Sequence, residues 1–285
     1  MANSRPDLRK EAQAARLNSN LSQCFLVEEA YLQRIAEWAI PDESSTPVIE
    51  IGPGTGNLTQ RLSEKGLNLT VIEVDDRFIV GLQSIPHTQV IHRSVLEVNL
   101  HELAAPKAVL LGNLPYHLTG PILFQVFGEL HQEDFPLRHA LEKVVIMVQK
   151  EVGDRLMAQP GDSDYSQLTL QLSCWADVEE TFVVPRQAFE PSPKVDSMVL
   201  RIRPRSTPRV QPKSFRALSR LIKSAFLHRR KTLLNNLKLA GYDETASQDA
   251  LSQLGLSPLQ RPQEISLEDY AKLSDYFDAI TSNPC

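Results

Sequence analysis

The chain has 285 residues, 42 % of them hydrophobic, with 35 acidic and 30 basic side chains and a formal net charge of −5; this suits one α/β domain of about 200 residues and a small second one. No apolar run approaches a membrane span, the N-terminus mixes Arg5, Arg9 and Lys10 with Asp7 and Glu11 in place of a signal region, and Cys24, Cys174 and Cys285 form no Cys-x-x-Cys pair. A membrane protein, a disulfide framework and a zinc site are therefore not indicated, and a reducing cytoplasm is the expected compartment. The seven histidines, His92, His101 and His117 among them, lack ligand spacing, so no metal is expected.

A lead over residues 1–20, expected to be flexible, precedes a helix over Glu28 to Ala39. Val48 to Ile51 is an apolar run that ends in Gly52, Gly54 and Gly56, and Leu58, Leu62 and Leu67 follow at mostly helical spacing. The pattern reads as strand, tight turn, helix. Glycines at 52, 54 and 56 are expected to remove Cβ atoms where a ligand must approach the backbone. Seventeen residues past Gly56 a second strand, Leu69 to Ile72, ends on Glu73. An open α/β sheet places there the acid that takes both ribose hydroxyls, so the ligand reads as adenosine-like. A dinucleotide fingerprint needs a third glycine where Asn57 stands. Gly-x-Gly-x-Gly with Glu50 two residues ahead of it looks instead like the S-adenosylmethionine loop of Rossmann-like methyltransferases.

Strands over 89–92 and 108–112 come next, and the second delivers Asn113-Leu114-Pro115-Tyr116. The exocyclic N6 of adenine is a poor nucleophile because its lone pair is delocalised into the ring. Two acceptors that bind its two N–H hydrogens draw the nitrogen toward a tetrahedral form and aim the lone pair at a methyl sulfonium. The Asn113 side-chain oxygen and the Leu114 carbonyl can serve. Pro115, with no N–H and a fixed φ, holds residue 114 away from helical geometry, and Tyr116 offers a face for the base to stack on.

A helix over Pro121 to Leu130 and a strand over 143–148 continue the alternation, which implies a parallel sheet with helices on both faces. Segments 179–184 and 197–203 are expected to finish that sheet by antiparallel pairing. Pro204, Pro208 and Pro212 mark a boundary, after which Ser214 to Ala240, Thr245 to Gly255 and Leu267 to Ile280 read as helices, the last capped by Ser266. The expected domains are residues 21–204, a Rossmann-like methyltransferase sheet, and 205–285, a small all-helical domain. Arg201 to Lys238 holds twelve Lys or Arg and no Asp or Glu. Arg216, Arg220, Lys223 and, two turns on, Arg230 or Lys231 recur at helix-like intervals, opposite an apolar side of Phe215, Leu218, Leu221, Ile222, Ala225 and Phe226. A cationic face over a buried one suits an RNA backbone, and Arg229, Arg230 and Lys231 together are expected to contact RNA phosphates.

Seven stretches in order carry a family resemblance: Ser22-Gln23-Cys24-Phe25-Leu26, the glycine loop, Val71-Ile72-Glu73-Val74-Asp75, Asn113-Leu114-Pro115-Tyr116, Gln149-Lys150-Glu151-Val152, Phe189 to Ser197, and Ala225 to Leu233 with its Arg229-Arg230-Lys231 core. The chain resembles the KsgA-type ribosomal RNA adenine N6-dimethyltransferases. The resemblance implies S-adenosylmethionine as methyl donor and two neighbouring adenosines in the 3′-terminal hairpin of small-subunit ribosomal RNA as target, within an assembling particle and with the enzyme a monomer. It places Cys24, Leu26, Gly52, Glu73, Ser94 and Asn113 around the donor, with the Val95 N–H toward the donor's adenine ring. Tyr116 stacks on the target base and Phe189 closes the other side of its pocket. The family usually has Asn where Cys24 stands and Asp where Ser94 stands. Two alternatives stay open: a catalytically weak RNA-binding assembly factor, and a large-subunit adenine N6-methyltransferase.

Overall fold

The structure, a computed structural model, describes residues 24–282; the expected lead over 1–20, Ser22-Gln23 and Cys285 lie outside them. Nine strands are described: β1 (Phe25–Leu26), β2 (Val48–Ile51), β3 (Leu69–Glu73), β4 (Thr88–His92), β5 (Ala108–Asn113), β6 (Leu141–Gln149), β7 (Ala176–Val184), β8 (Phe189–Glu190) and β9 (Ser197–Pro204). Seven of them form one sheet in the order β4-β3-β2-β5-β6-β9-β7, and β1 pairs with β8 alone. β4 to β6 are mutually parallel, whereas β9 runs antiparallel to β6, Val144 facing Ile202 and Gln149 facing Ser197.

The inner strands are legible because both their faces are covered. β2 is buried at all four positions and β5 at every position before Asn113, which is why they read as unbroken apolar runs rather than alternations. The edge strand β4 leaves Gln89 and His92 exposed, polar groups that discourage pairing with another chain. After β2 the chain moves outward through β3 to β4, then returns to place β5 on the other side of β2. That reversal opens a crevice beyond the carboxyl ends of β2 and β5, where open α/β sheets bind ligands. Ile51 lies opposite Gly112 in the parallel register. A Cβ on Gly112 would stand 2.5 Å from the Ile51 carbonyl oxygen, so the two strands close tightly just where the crevice begins.

The chain divides into two compact units. Of the described residues, the first holds the sheet: those up to 127, 136–153 and 178–204. The second holds 128–135, 154–177 and those from 205 onward. Sequence analysis draws one cut at 204/205; packing also cuts there but assigns 128–135 and 154–177 to the helical unit. The reason lies in its core, where Leu130, Ala158, Tyr165, Leu170, Cys174 and Trp175 bury together with Phe215, Leu218, Leu221 and Leu237. Trp175 stacks on Phe215 with ring centroids 5.0 Å apart.

One expected helix is two. The pattern from Ser214 to Ala240 splits into Phe215–Ala225 and Leu233–Leu239, so Arg230 and Lys231 do not continue the helical register of Arg216, Arg220 and Lys223. Ser214 caps the first helix, its side chain accepting from the Ala217 N–H at 3.1 Å. Thr232 starts the second by accepting from the Asn235 N–H at 3.3 Å, satisfying an end that an unbroken helix would not have. Ser266 caps Leu267–Ser282, accepting from the Asp269 N–H at 3.0 Å.

The long cationic run is also partly cancelled. Arg201 and Arg203 pair with Glu179, Arg201 with Glu180, and Arg205 and Arg209 with Asp177. The cations that remain for a partner begin further along, in the helical unit. Gly112→Ala should destabilise the sheet by about 1–3 kcal/mol, the usual cost of forcing a methyl into a packed contact. Denaturant midpoints of parent and variant check this; equal midpoints would mean β2 and β5 spread apart freely.

Candidate functional site

The crevice is a cleft of about 170 Å³ lined by the glycine loop, the end of β3, the turn after β4 and the segment after β5. Of the site residues expected from sequence, it gathers Cys24, Leu26, Gly52, Gly54, Glu73, Ser94, Val95, Asn113, Leu114, Pro115 and Tyr116. Gly56 and Phe189 are not on its wall.

The glycine loop keeps its shape for reasons the sequence did not show. Gly54 has φ +55°, and a Cβ there would stand 2.8 Å from the Phe25 ring; Gly56 has φ +82° and starts the helix Asn57–Ser63. At both, the space a side chain would fill belongs to the protein itself, and the left-handed φ disfavours any other residue. The expectation that ligand approach explains all three glycines is corrected on this point. Asn57, which excluded the dinucleotide fingerprint, is buried and donates its Nδ2 to the Leu26 carbonyl at 2.8 Å, binding β1 to the loop.

Glu73 is buried at the floor. Its Oε1 accepts from the N–H of Val74 and of Asp75, each at 2.8 Å, and its Oε2 from the Gly54 N–H at 2.9 Å. Burial raises its pKa, and these three backbone donors oppose the rise. A carboxylate has about four acceptor sites, so the Oε2 edge keeps room for a ligand hydroxyl. Glu50, named in the sequence only as the acid ahead of the loop, also reaches the cleft wall. It is wholly buried, and its Oε2 accepts from the Thr59 hydroxyl at 2.7 Å.

Asn113 and Leu114 form the opposite wall. The Asn113 Nδ2 donates to the Cys24 carbonyl at 3.3 Å, which turns its Oδ1 the other way. The Leu114 N–H donates to the Met147 carbonyl at 3.0 Å. Among the described residues nothing donates to the Asn113 Oδ1 or to the Leu114 carbonyl, leaving two adjacent acceptors at one wall. Pro115 has φ −56° and ψ 127°, the extended geometry that keeps the 114 carbonyl out of a helix. Tyr116 is half-buried, its hydroxyl 3.3 Å from the Ser197 Oγ, and burial holds that hydroxyl in its neutral form by raising its pKa. Burial likewise pushes the Cys24 thiol up, so Cys24 contributes its carbonyl rather than a thiolate.

Ser94 and Val95 sit in the turn after β4. Gln125 donates through Nε2 to the carbonyls of Val95 and Val98, each at 2.9 Å, and so sets that turn from behind. Nothing in the spacing of Gln125 announced it. Phe189 departs from its expected place: opposite Leu26 in the β1–β8 pair, it is 2 % exposed and packed in the core with Leu26 and Leu32. An apolar ring gains more from that burial than from facing the cleft, and here it anchors β1.

In the second unit, Arg216, Arg220 and Lys223 are exposed along one side of Phe215–Ala225 and line a groove of about 370 Å³ with His131, Ser219 and Leu227. The six expected apolar positions on the other side are all buried. Lys223 also pairs with Glu129 at 3.0 Å. Arg229, Arg230 and Lys231 stand in the turn that follows, all exposed.

A family profile described as ribosomal RNA adenine dimethylase matches residues 14–279. The ribosomal RNA small subunit methyltransferase A of Clostridium botulinum is 36 % identical over 266 residues, which cover 91 % of this chain and 94 % of that protein. The protein of the same name from Bacillus mycoides is 35 % identical over 271 residues, covering 90 % and 89 %. Among solved structures, a dimethyladenosine transferase from Plasmodium falciparum aligns with a TM-score of 0.71 at 25 % identity, over 90 % of this chain and 98 % of that one. The 23S rRNA methyltransferase ErmE aligns with a TM-score of 0.64 at 23 % identity, over 89 % and 99 %, a likeness of fold.

Glu50 gives the site a pH signature. Burial pushes its carboxyl up from 4.5 to about 7, against the Thr59 hydrogen bond and with help from Glu73. Between about pH 4.5 and 7 the folded chain holds a proton that the unfolded chain has lost, so stability falls as pH rises through that window and levels off above it. Glu50→Gln stays neutral throughout. It should flatten that stretch and exceed the parent above pH 7 by up to about 3 kcal/mol, the order a shift of this size allows. Denaturant midpoints at about pH 5 and pH 8 measure it, and parallel curves for the two proteins would show that Glu50 titrates normally.

Proposed function

The chain belongs to the ribosomal RNA adenine dimethylase family, and from that premise we propose how its cleft carries out the reaction and on what target. It is an S-adenosylmethionine-dependent ribosomal RNA (adenine-N6)-dimethyltransferase with a Rossmann-like sheet. Its target is a pair of adjacent adenosines in the 3′-terminal hairpin of 16S ribosomal RNA, each receiving two methyl groups in turn.

The donor supplies an electrophilic methyl on a sulfonium; the rest is done by the chain's own groups. Glu73 takes the donor's ribose hydroxyls on the edge its backbone partners leave open. The Val95 N–H meets the donor's adenine ring, Ser94 stands beside its amine, and Cys24, Leu26, Gly52 and Gly54 shape the surrounding wall, while Gly56 acts through the loop's turn into the helix. The target base, out of its stack, lies against Tyr116. Its N6 hydrogens go to the Asn113 Oδ1 and the Leu114 carbonyl, and the lone pair is aimed at the methyl. The observation that carries this reading is that pair of neighbouring acceptors without donors in the cleft. Once methylated, the nitrogen becomes acidic, so no strong general base is needed.

Arg216, Arg220 and Lys223, with Arg230 and Lys231 from the following turn, meet RNA phosphates of a small subunit under assembly. The enzyme acts as a monomer in the cytoplasm; no described helix is long and apolar enough to cross a membrane. The intact acceptor pair and Glu73 disfavour a catalytically weak assembly factor. The Arg229-Arg230-Lys231-Thr232-Leu233 block favours the small-subunit target over the large-subunit one.

Asn113→Ala should lower methyl transfer to immature small subunits by orders of magnitude with RNA affinity nearly unchanged, because its contacts count most as the lone pair is aimed. Near-normal turnover would remove Asn113 from the chemistry. Glu73→Gln, chosen over Ala because three backbone donors need an acceptor there, should weaken donor binding in calorimetry by roughly 1.5–3 kcal/mol, the worth of a charge-assisted hydrogen bond. Unchanged donor affinity in that variant would mean the ribose is held elsewhere.

A further inference from the structure

The turn between the two helices of the basic region is built from inside. Asn236, wholly buried in Leu233–Leu239, reaches back eight residues. Its Oδ1 accepts from the His228 N–H at 2.9 Å, and its Nδ2 donates to the carbonyls of His228 at 3.0 Å, Thr232 at 3.2 Å and Lys231 at 3.5 Å. The Lys231 N–H closes the turn on the His228 carbonyl at 3.0 Å. One side-chain amide thus reaches four backbone groups of 228–232, the His228 N–H and the carbonyls of His228, Lys231 and Thr232, at a break between helices where backbone groups lack regular partners.

The three cations of this turn are not equivalent. Arg229 sends its Nη2 to the carbonyls of Ser163 and, at 3.1 Å, Tyr165. Tyr165 is itself buried in the core of the same unit. Both acceptors are neutral carbonyls, so this contact fixes a position and neutralises no charge. The side chains of Arg230 and Lys231 are exposed and make no hydrogen bond or ion pair with described residues. Because Asn236 holds the backbone on both sides of Arg230, at 228 and at 231–232, the points from which the two cations extend are fixed, which reduces the backbone ordering entropy lost on binding.

We infer that Arg229 and Asn236 are positioning residues for the RNA contact, and that Arg230 and Lys231 alone in this turn neutralise phosphates. The inference rests on the reading above that the turn meets RNA, and it divides the turn's cations by role. A basic triplet read from sequence treats them alike. The structure separates the one held to backbone carbonyls from the two left free.

The test uses the full chain and immature small subunits, with binding followed between about 50 and 200 mM salt. Arg230→Ala and Lys231→Ala should each lower the slope of log affinity against log salt by about 0.7–0.9, one phosphate contact apiece. Arg229→Ala should weaken binding about fivefold with an unchanged slope. In an Arg230→Ala/Lys231→Ala background the same change should cost nothing further, since a residue that acts through two others has no effect once they are gone. Asn236→Ala should follow the Arg229→Ala pattern; a far-ultraviolet circular dichroism spectrum and a cooperative denaturant transition matching the parent's certify that each variant is folded, and if Asn236→Ala fails that check the Arg229 arm decides alone. A slope that falls for Arg229→Ala as it does for Arg230→Ala, or a full additive loss in the double background, overturns the division of roles. Unchanged slopes for Arg230→Ala and Lys231→Ala would instead overturn the prior reading that this turn meets RNA.

Discussion

Between β2 and β5 there is no side chain at the point where the site begins: Gly112 sits against the Ile51 carbonyl too closely for a Cβ. The next residues on the two strands, Gly52 and Asn113, therefore emerge side by side at the reversal of strand order. On the proposed reading, one begins the loop beside the donor and the other the segment that receives the target amine. In-line transfer of a methyl group needs its two partners held within a fraction of an ångström of the productive geometry. Backbone packed in a buried parallel sheet supplies that more firmly than two independent loops would.

A second constraint converges on the short segment Cys24 to Leu26. The Cys24 carbonyl receives the Asn113 amide, the Leu26 carbonyl receives Asn57, and Leu26 pairs with Phe189 in β8. The strap over the cleft is thus joined to the acceptor wall, the glycine loop and the β8 segment by backbone atoms. This accounts for the cysteine at position 24 where the resemblance expects asparagine: the hydrogen bond to Asn113 uses the carbonyl, which every residue has. Position 94 is different: Ser94 lines the cleft, and in the proposed donor site serine offers a shorter, neutral group than the aspartate the resemblance expects.

The sheet was legible in sequence because burial on both faces writes itself as contiguous apolar residues; the described limits of β2 and β3 fall where the sequence puts them. Glu73 and the acceptor pair were legible because each lies at the carboxyl end of such a strand. What was not legible depends on contacts between distant parts of the chain. The cancelling of Arg201, Arg203, Arg205 and Arg209 requires knowing that β7 lies next to β9, and a linear charge count has no access to that. The break after Ala225 was hidden because Phe226 and Leu233 keep the apolar rhythm through the turn, while the group that stabilises the break is a single buried asparagine. Phe189 was misplaced by resemblance because a motif fixes a residue's position in the chain but not the direction of its ring. The glycines were found through ligand approach, whereas the structure gives each a left-handed φ, and Gly54 and Gly56 also answer to Phe25 and to helix geometry.

Two buried carboxyls, Glu50 and Glu73, face one cleft, and burial raises the pKa of each. For stability this is a cost, since ionising either group in a poorly hydrated place is unfavourable. For the reaction it favours the right ligand. The donor carries a positive sulfonium and an ammonium, and a cation brought near buried carboxyls restores the Coulomb energy that burial removed, by an amount greater than in water. After transfer the sulfur is neutral, and that part of the attraction is gone. On the proposed reading, this charge arrangement favours the cationic donor over the product with neutral sulfur, and that preference and the stability given up at Glu50 come from the same desolvation.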